Sequence, residues 1–365
     1  MVLLTKELAQ ELVNETMKCV DRNINIMDAQ GIVIGSGDPS RIGHFHEAAY
    51  EAITSKQMLI VNEKNASRWR GAQAGVNLPI LDGSIVIGAI GITGLSEDVK
   101  PLGQLVKMTA ELLIRQKKLR LQEEWRQRTV DGIVKELVES DLPDAIWIEH
   151  RLSDLQLNLA CPFRVLLLFS PDKTVSEEIL YPFACSTFKP EEALVSIMKP
   201  HGVVVLIGGV DKTGITRRLE LLQEKLNRLK EDVQLVAACS GQVLHFREAR
   251  VAFREAILAN RLSSVHPNPI VYFEEIEAEA LTHVIPTEHL ERILGKVKPV
   301  WNTKMQETLS CLFACHLNMA EAVRQLGIHR NTMLYRLERI KEITGYDPLH
   351  FQDAMILQWV VWSLG

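Results

Sequence analysis

Two side chains five positions apart can bind a carboxylate. Arg41 offers a guanidinium fork, and His46 adds an imidazole donor at the start of a predicted helix, where backbone N–H groups favour anions. Ser36, Asn77 and Thr93 supply hydroxyl and amide groups that can pair with the hydroxyls of a ligand. These residue types predict a site for a small anion that carries hydroxyls. The competing interpretation gives each residue an ordinary role in a turn or on the surface.

Glycines surround these polar residues. Gly35, Gly37, Gly91 and Gly94 are expected to let backbone N–H groups approach the ligand closely. The run Gly35-Ser-Gly37 is not a dinucleotide fingerprint, because Asp38-Pro39-Ser40 follows it and supplies neither a third glycine nor a helix start.

The chain offers no pattern for catalysis or metal binding. It contains no recognisable nucleophile–base pair, cofactor loop or ligand cluster, so no cofactor, metal or enzyme activity is predicted. Cys311 and Cys315-His316 lack a second ligand pair, and their four-residue spacing within an apolar pattern favours a core position.

A second chemistry-bearing stretch lies near the C-terminus. The segment His329–Lys341 carries four basic residues against Glu338, a local charge of 4 − 1 = +3 in a chain of net charge −5. Arginine can pair bidentately with guanine, and Asn, Thr and Tyr can hold phosphates. The side chains predicted to contact DNA are His329, Arg330, Asn331, Thr332, Tyr335, Arg336 and Arg339. The competing interpretation is a helical hairpin with a solvated face.

Two helices joined by a tight glycine turn position this stretch. Asn318 is a suitable N-cap for a helix over Met319–Leu326, and Gly327 ends that helix. A second helix is predicted from His329 to about Ile343, before Thr344-Gly345. Its core side on a helical wheel consists of Met333, Leu334, Leu337 and Ile340. This is the pattern of a DNA-reading helix-turn-helix.

Length and composition indicate a soluble protein of several globular units. A chain of 365 residues predicts two or three globular units, and 47 % apolar with 24 % charged residues is typical of soluble proteins. No apolar run reaches the roughly 18 residues that span a membrane, and charges come too early for a signal peptide. Six scattered cysteines indicate reduced thiols and a cytoplasmic protein.

The first hundred residues predict a PAS-like α+β sensor with an antiparallel sheet. A helix is expected from Lys6 to about Val20 and another over Phe45–Thr54. Strand patterns cover Ile24–Met27, Ile32–Ile34, Gln57–Val61, Gly75–Ile80 and Ile85–Ile92.

Residues 101–140 predict a long linker helix that dimerises. Apolar positions recur in steps of four and three from Leu105 through Leu112 and Leu119 to Ile133 and Leu137, as in a heptad seam. The alternative is two shorter helices, each packed on its own domain.

The remaining residues form two further units. Residues 145–275 predict an α/β domain with strands at Phe163–Phe169, Gly202–Ile207 and Val233–Ala238 and helices at Ile215–Leu229 and Phe246–Arg261. Residues 286–365 lack strand patterns and predict an all-α helix-turn-helix domain. The fold class is therefore α+β multidomain.

The C-terminal motif resembles a known DNA-binding domain. Leu326-Gly-Ile-His-Arg-Asn-Thr-Met-Leu-Tyr-Arg-Leu337, followed by Thr344-Gly-Tyr-Asp347, is similar to the helix-turn-helix of PucR-type regulators. Ile328-His-Arg-Asn-Thr332 also resembles the Fis-type domain of bacterial enhancer-binding proteins. The likeness covers some seventy residues and implies double-stranded operator DNA as a partner.

The N-terminal stretch resembles the sugar-diacid recognition domain of the carbohydrate diacid regulator family. The likeness rests on Asn23-Ile-Asn-Ile-Met-Asp28, Gly31-Ile-Val-Ile-Gly-Ser-Gly-Asp38, Arg41-Ile-Gly-His-Phe-His-Glu47, Val76-Asn-Leu-Pro-Ile80 and Ile87-Gly-Ala-Ile-Gly-Ile-Thr-Gly94. It implies an effector of the glucarate, galactarate or glycerate class, all of which share a 2-hydroxycarboxylate end. Ala48 departs from the family pattern, which has glycine there, and its methyl group is expected to narrow the pocket or to shift its ligand preference.

The central domain resembles a degenerate GGDEF domain. Ile207-Gly-Gly-Val-Asp211 stands at the expected place of the signature, but the acidic pair that holds metal and substrate is missing. The resemblances together imply a one-component, homodimeric activator of sugar-diacid or glycerate utilisation. The alternative function is an enzyme that metabolises hydroxy acids and carries an accessory DNA-binding domain.

Overall fold

The computed structural model describes residues 4–18, 22–70, 73–171, 174–229, 233–266 and 268–364. The chain divides into two compact units, Met1–Arg126 and Gln127–Gly365. The α+β multidomain class is confirmed.

The N-terminal unit is built on a five-stranded antiparallel sheet of order β2-β1-β5-β4-β3. Its elements are α1 (Lys6–Met17), β1 (Ile24–Asp28), β2 (Val33–Ser36), α2 (Glu47–Ser55), β3 (Leu59–Val61), β4 (Gly75–Asp82), β5 (Ile85–Thr93) and the start of α3 (Ser96–Glu139). All five predicted strands are present. The predicted end of the first helix, Val20, lies outside the described residues.

The two faces of this sheet pack against different helices. Ile26 and Ile90 belong to a cluster with Leu8 of α1 and Ile114 of α3. Because side chains alternate along a strand, the neighbouring residues point to the opposite face. There Met27 packs with Ala49 and Ile53 of α2, together with Val33 and Ala89.

Two glycines predicted to face the ligand instead allow α1 to pack. A Cβ atom at Gly35 would lie 2.7 Å from the backbone carbonyl carbon of Ala9, and one at Gly37 would overlap Met17. The N–H of Gly37 donates to the carbonyl of Ile24 at 3.1 Å. The predicted role of Gly37 as a ligand donor is therefore wrong, and Gly35 lies against α1.

Helix α3 is continuous over 44 residues, so the alternative of two shorter helices is wrong. Its predicted seam divides into two parts. Leu112 and Leu119 are 59 % and 58 % exposed, whereas Ile133 is 0 % exposed in a core cluster with Val130 and Leu137. Ile133 is therefore not available for the predicted dimer seam, since its own domain covers it.

The central domain is a mixed five-stranded sheet of order β10-β9-β6-β8-β7, with apolar clusters on both faces. Its elements are α4 (Ala145–Asp154), β6 (Phe163–Phe169), α5 (Glu177–Thr187), β7 (Ala193–Met198), β8 (Gly202–Gly208), α6 (Lys212–Leu229), β9 (Val236–Cys239), α7 (Ala249–Leu262), β10 (Ile270–Tyr272) and α8 (Phe273–Ala280). Strands β7 and β10 were not predicted. Asp211 accepts a 2.8 Å hydrogen bond from the N–H of Gly214, which assigns it a helix-capping role.

The described residues of the C-terminal region form helices joined by short loops and contain no strand. It contains α9 (Thr287–Val297), α10 (Thr303–Ala314), α11 (Met319–Leu326), α12 (Arg330–Thr344) and α13 (Phe351–Leu364). The first helix of the predicted pair has the predicted bounds, and the second begins one residue later because His329 is its N-cap. Met333, Leu337 and Ile340 are buried, but Leu334 is 43 % exposed, so its predicted core position is wrong.

Candidate functional site

Four residues form one row across the N-terminal sheet. Ser36 of β2 pairs with Asn25 of β1, Asn25 with Gly91 of β5, and Gly91 with Asn77 of β4. Directly paired residues project to the same face. The side chains of Ser36, Asn25 and Asn77 therefore lie on one face of the sheet, on either side of Gly91. The neighbouring row on this face contains Met27, which packs against α2.

The polar groups in this row are buried, and one is unpaired. The hydroxyl of Ser36 donates to Asn25 Oδ1 at 2.6 Å and accepts from the N–H of Asp38 at 3.0 Å. Asn77 is 4 % exposed, and its Oδ1 has no hydrogen-bond partner among the described residues. A Cβ atom at Gly91 would lie 2.9 Å from this oxygen. The glycine thus keeps the space beside the unpaired acceptor open.

His46 and Arg41 lie together on the segment that follows β2. The N–H of His46 donates to Gly31 at 2.8 Å, and the carbonyl of His44 accepts from Val33 at 2.9 Å. These bonds fasten the segment to the sheet. Arg41 is close enough for its charge to act on the imidazole.

The imidazole of His46 caps α2 and is held neutral. Its Nδ1 accepts a 3.2 Å hydrogen bond from the N–H of Ala49. Burial, and then the positive charge of Arg41, lower the pKa of His46 from its ordinary value. A neutral ring that accepts at Nδ1 carries its proton on Nε2. His46 can therefore offer one N–H donor to a ligand.

Thr93 lies one pair further along the same sheet face, because it pairs with Gly75 while Gly91 pairs with Asn77. Its side chain is half-buried. Gly94 behaves differently, since its N–H donates to the carbonyl of Ala74 at 2.9 Å. Gly94 therefore does not offer the free backbone donor that was predicted.

Asn25 belongs to this polar row, and the sequence interpretation missed it. The run Asn23-Ile-Asn-Ile-Met alternates polar and apolar residues, so Asn25 had to face opposite to Ile24 and Ile26. That alternation was a usable signal. Ala48, the departure from the family pattern, is buried against Val61 and Trp69.

Capping residues define both ends of α11 and the start of α12. Asn318 accepts from the N–H of Glu321 at 3.2 Å, and Gly327 ends α11 at φ +62°. His329 Nδ1 accepts from the N–H of Asn331 at 3.3 Å at the start of α12. Ala322 is fully buried where α11 meets the core.

Most of the predicted DNA-contacting side chains share the exposed side of α12. The exposed residues are His329, Arg330, Asn331, Thr332, Tyr335 and Arg339. Arg339 forms a 2.9 Å ion pair with Glu342. Arg336 differs, because it is half-buried and donates to the hydroxyl of Thr308 on α10 at 3.1 Å.

The described residues contain no cluster of three or more metal-ligating side chains, and none of their helices is long and apolar enough to cross a membrane. Cys315 belongs to the C-terminal core and Cys311 packs against it, as predicted.

Comparisons with known proteins match three consecutive parts of the chain. Residues 4–137 match the sugar diacid recognition family, residues 139–262 the GGDEF-like domain, and residues 305–362 the PucR C-terminal helix-turn-helix domain. The carbohydrate diacid regulator of Escherichia coli is 29 % identical over 97 % of this chain and 96 % of its own length. The chain therefore combines a sugar diacid recognition domain, a GGDEF-like domain and a PucR-type C-terminal helix-turn-helix domain, and it is similar to a carbohydrate diacid regulator over nearly its whole length.

These matches make the chain a transcriptional regulator with a sugar diacid recognition domain and a DNA-binding helix-turn-helix domain, so the alternative function as an enzyme is wrong. The transcriptional activator PmfR of Paenarthrobacter nicotinovorans is also 29 % identical, over 50 % of this chain and 40 % of its own length. Among solved structures, a regulator of polyketide synthase expression from Bifidobacterium adolescentis covers 65 % of this chain and 98 % of its own, with a TM-score of 0.33 and 16 % identity.

Proposed function

We propose that this protein is a homodimeric, one-component activator of sugar-diacid or glycerate utilisation. A 2-hydroxycarboxylate binds its PAS-like N-terminal domain, helix α3 transmits the event, and α11 and α12 engage operator DNA. The observation that carries the effector part is the buried, unpaired Oδ1 of Asn77 beside Gly91.

Each proposed contact follows from the chemistry of a hydroxy acid. A buried acceptor without a partner is costly, and a ligand hydroxyl can donate to Asn77 Oδ1. Arg41 binds the carboxylate through its guanidinium, and His46 adds the Nε2–H donor. Thr93 addresses a further hydroxyl. Ser36 supports the site through Asn25, because its hydroxyl is already bonded inside the fold.

The proposed dimer rests on an exposed apolar stripe along the first half of α3. Leu105, Met108, Leu112 and Leu119 recur at helical spacing and all are exposed, while Val106 on the other side is buried. A second copy of the chain has the same stripe, and leucines at heptad spacing pack against the leucines of a partner helix in a coiled coil. A two-fold dimer also suits a DNA site with two halves. Its DNA partner makes the cytoplasm the expected location.

Calorimetry on the full-length protein tests the effector site. Glucarate, galactarate and glycerate are titrated, with adipate as the diacid that lacks hydroxyls. At least one hydroxy acid should bind and adipate should not. Arg41→Ala should weaken that binding about thirtyfold or more, because removing one side of a buried charge-assisted pair costs ~2–5 kcal/mol.

Arg68→Ala is the matched control, since Arg68 is an exposed arginine of the same domain. This variant should bind like the wild type. Unchanged affinity in a folded Arg41→Ala protein would remove Arg41 from the site.

A further inference from the structure

A basic groove lies between α10 and α12. Its volume is about 230 Å³. Lys304, Arg336 and Arg339 line it together with Tyr335 and Thr308, and no acidic residue is among its described lining residues. Arg339 is already paired with Glu342 outside the lining, whereas Lys304 and Arg336 have no ion-pair partner among the described residues. These two positive charges make the groove a site for an anion.

Arg336 is held in this groove with an unsatisfied donor. Thr308 is fully buried, its hydroxyl donates to the carbonyl of Lys304 at 2.7 Å, and its oxygen accepts from Arg336 Nη1 at 3.1 Å. The Nε of Arg336 is buried and has no partner within the described part of the chain. A buried charged donor without an acceptor is costly. A bound molecule that supplies an acceptor to this nitrogen would remove that cost.

We propose that this groove binds one backbone phosphate of DNA. The inference rests on the proposed DNA-binding function and assigns it a positioning site. Nε and Nη2 of Arg336 form a fork that matches two phosphate oxygens, and Thr308 fixes the orientation of that fork. Lys304 and Arg339 add charge. Because a phosphate contact carries no sequence information, the groove sets the register of α12 and leaves base reading to residues nearer its start.

Two substitutions separate the charge of the groove from its geometry. Lys304→Gln removes one exposed positive charge. Arg336→Lys keeps the charge and removes the fork. Lys296→Gln is the matched control, since Lys296 is exposed on α9 and does not line the groove. Fluorescence anisotropy of the full-length protein is measured across a salt series, on a duplex selected from a random pool by the wild type and on a shuffled duplex.

The proposal gives each variant a distinct result. Lys304→Gln should weaken both duplexes by the same factor and lower the salt slope by about one unit, while Lys296→Gln changes neither. Arg336→Lys should weaken both duplexes roughly tenfold and keep the salt slope. If both groove variants bind like the wild type, the phosphate site is wrong and DNA binding itself stands. A loss confined to the selected duplex would instead make the groove a base-reading site. If the wild type binds no duplex, the proposed function fails.

Discussion

The N–H of Ala49 donates a 3.2 Å hydrogen bond to Nδ1 of His46, so one imidazole caps α2 and keeps its other nitrogen as a donor. Substitution can separate these two tasks. Asparagine is a strong N-cap, whereas alanine is a poor one. His46→Asn should therefore keep the stability of the wild type and weaken hydroxy-acid binding. His46→Ala should lose effector affinity and about 1 kcal/mol of stability as well.

Urea unfolding and calorimetry with the preferred hydroxy acid measure the two effects in parallel. Equal effector affinity in His46→Asn and the wild type would restrict His46 to its capping role.

The low pKa of His46 makes stability depend on pH. Burial, and next the charge of Arg41, lower this pKa from 6.5. The unfolded chain therefore takes up a proton at a higher pH than the folded one, so the free energy of unfolding falls as pH drops below 6.5 and through the folded pKa. The wild type should lose more stability than His46→Asn between about pH 7.5 and pH 5. Urea unfolding at both pH values checks this, and parallel losses in the two proteins would contradict it.

Lysines in the exposed stripe of α3 should yield monomers. Leu112 and Leu119 lie exposed on the same helix, and charges in an apolar seam oppose pairing. The double variant Leu112→Lys, Leu119→Lys is compared by light scattering with Leu229→Lys, which places a lysine at an exposed leucine of α6. The wild type and Leu229→Lys should both be dimers. A dimer that survives the double substitution would place the interface elsewhere.

Base reading and phosphate binding should separate along α12. Arg330 is exposed in the first turn, where such helices meet base edges. Arg330→Ala should cost about 1–3 kcal/mol on a selected duplex and flatten the preference over a shuffled one. Arg339→Ala should weaken both duplexes alike and reduce the salt slope by roughly one unit.

Fluorescence anisotropy across a salt series measures both variants, with Arg292→Ala on α9 as the exposed-arginine control. An equal loss on both duplexes for Arg330→Ala would make that residue a phosphate contact.

Local patterns predicted most elements, because the relevant information is local. Asn318 and Gly327 mark the ends of α11 through capping chemistry, and the alternation in Ile24–Asp28 marks β1. Periodicity does not predict burial where another part of the fold determines which residues of a helix are covered. Ile133 and Leu112 continue one heptad pattern, yet only Ile133 is covered by its own domain. The helical wheel wrongly placed Leu334 in the core, because the buried stripe of α12 is narrower than its apolar residues suggest.

The candidate site shows the same limit. The residue types were visible in the sequence, but strand register decides which side chains meet, and it placed Asn25 beside Ser36 and opposite Gly91. The glycine-rich sequence around Gly35 suggested a loop that binds the ligand. The structure instead requires glycine there because the backbone of Ala9, distant in sequence, leaves no room for a Cβ atom. Arg336 matched a solvated DNA contact, and only the tertiary structure brings it to Thr308.

In a one-component activator, effector binding and DNA binding are coupled within one chain, so DNA affinity should depend on the effector concentration. Anisotropy of a selected duplex is recorded with the full-length protein at increasing galactarate, glucarate or glycerate, and with adipate as control. Coupling free energies of ~1–3 kcal/mol predict a change of about five- to 150-fold in DNA affinity with one hydroxy acid. Adipate should have no effect, and Arg41→Ala should abolish the response while keeping basal DNA binding. DNA affinity that stays constant while calorimetry shows bound hydroxy acid would contradict the account.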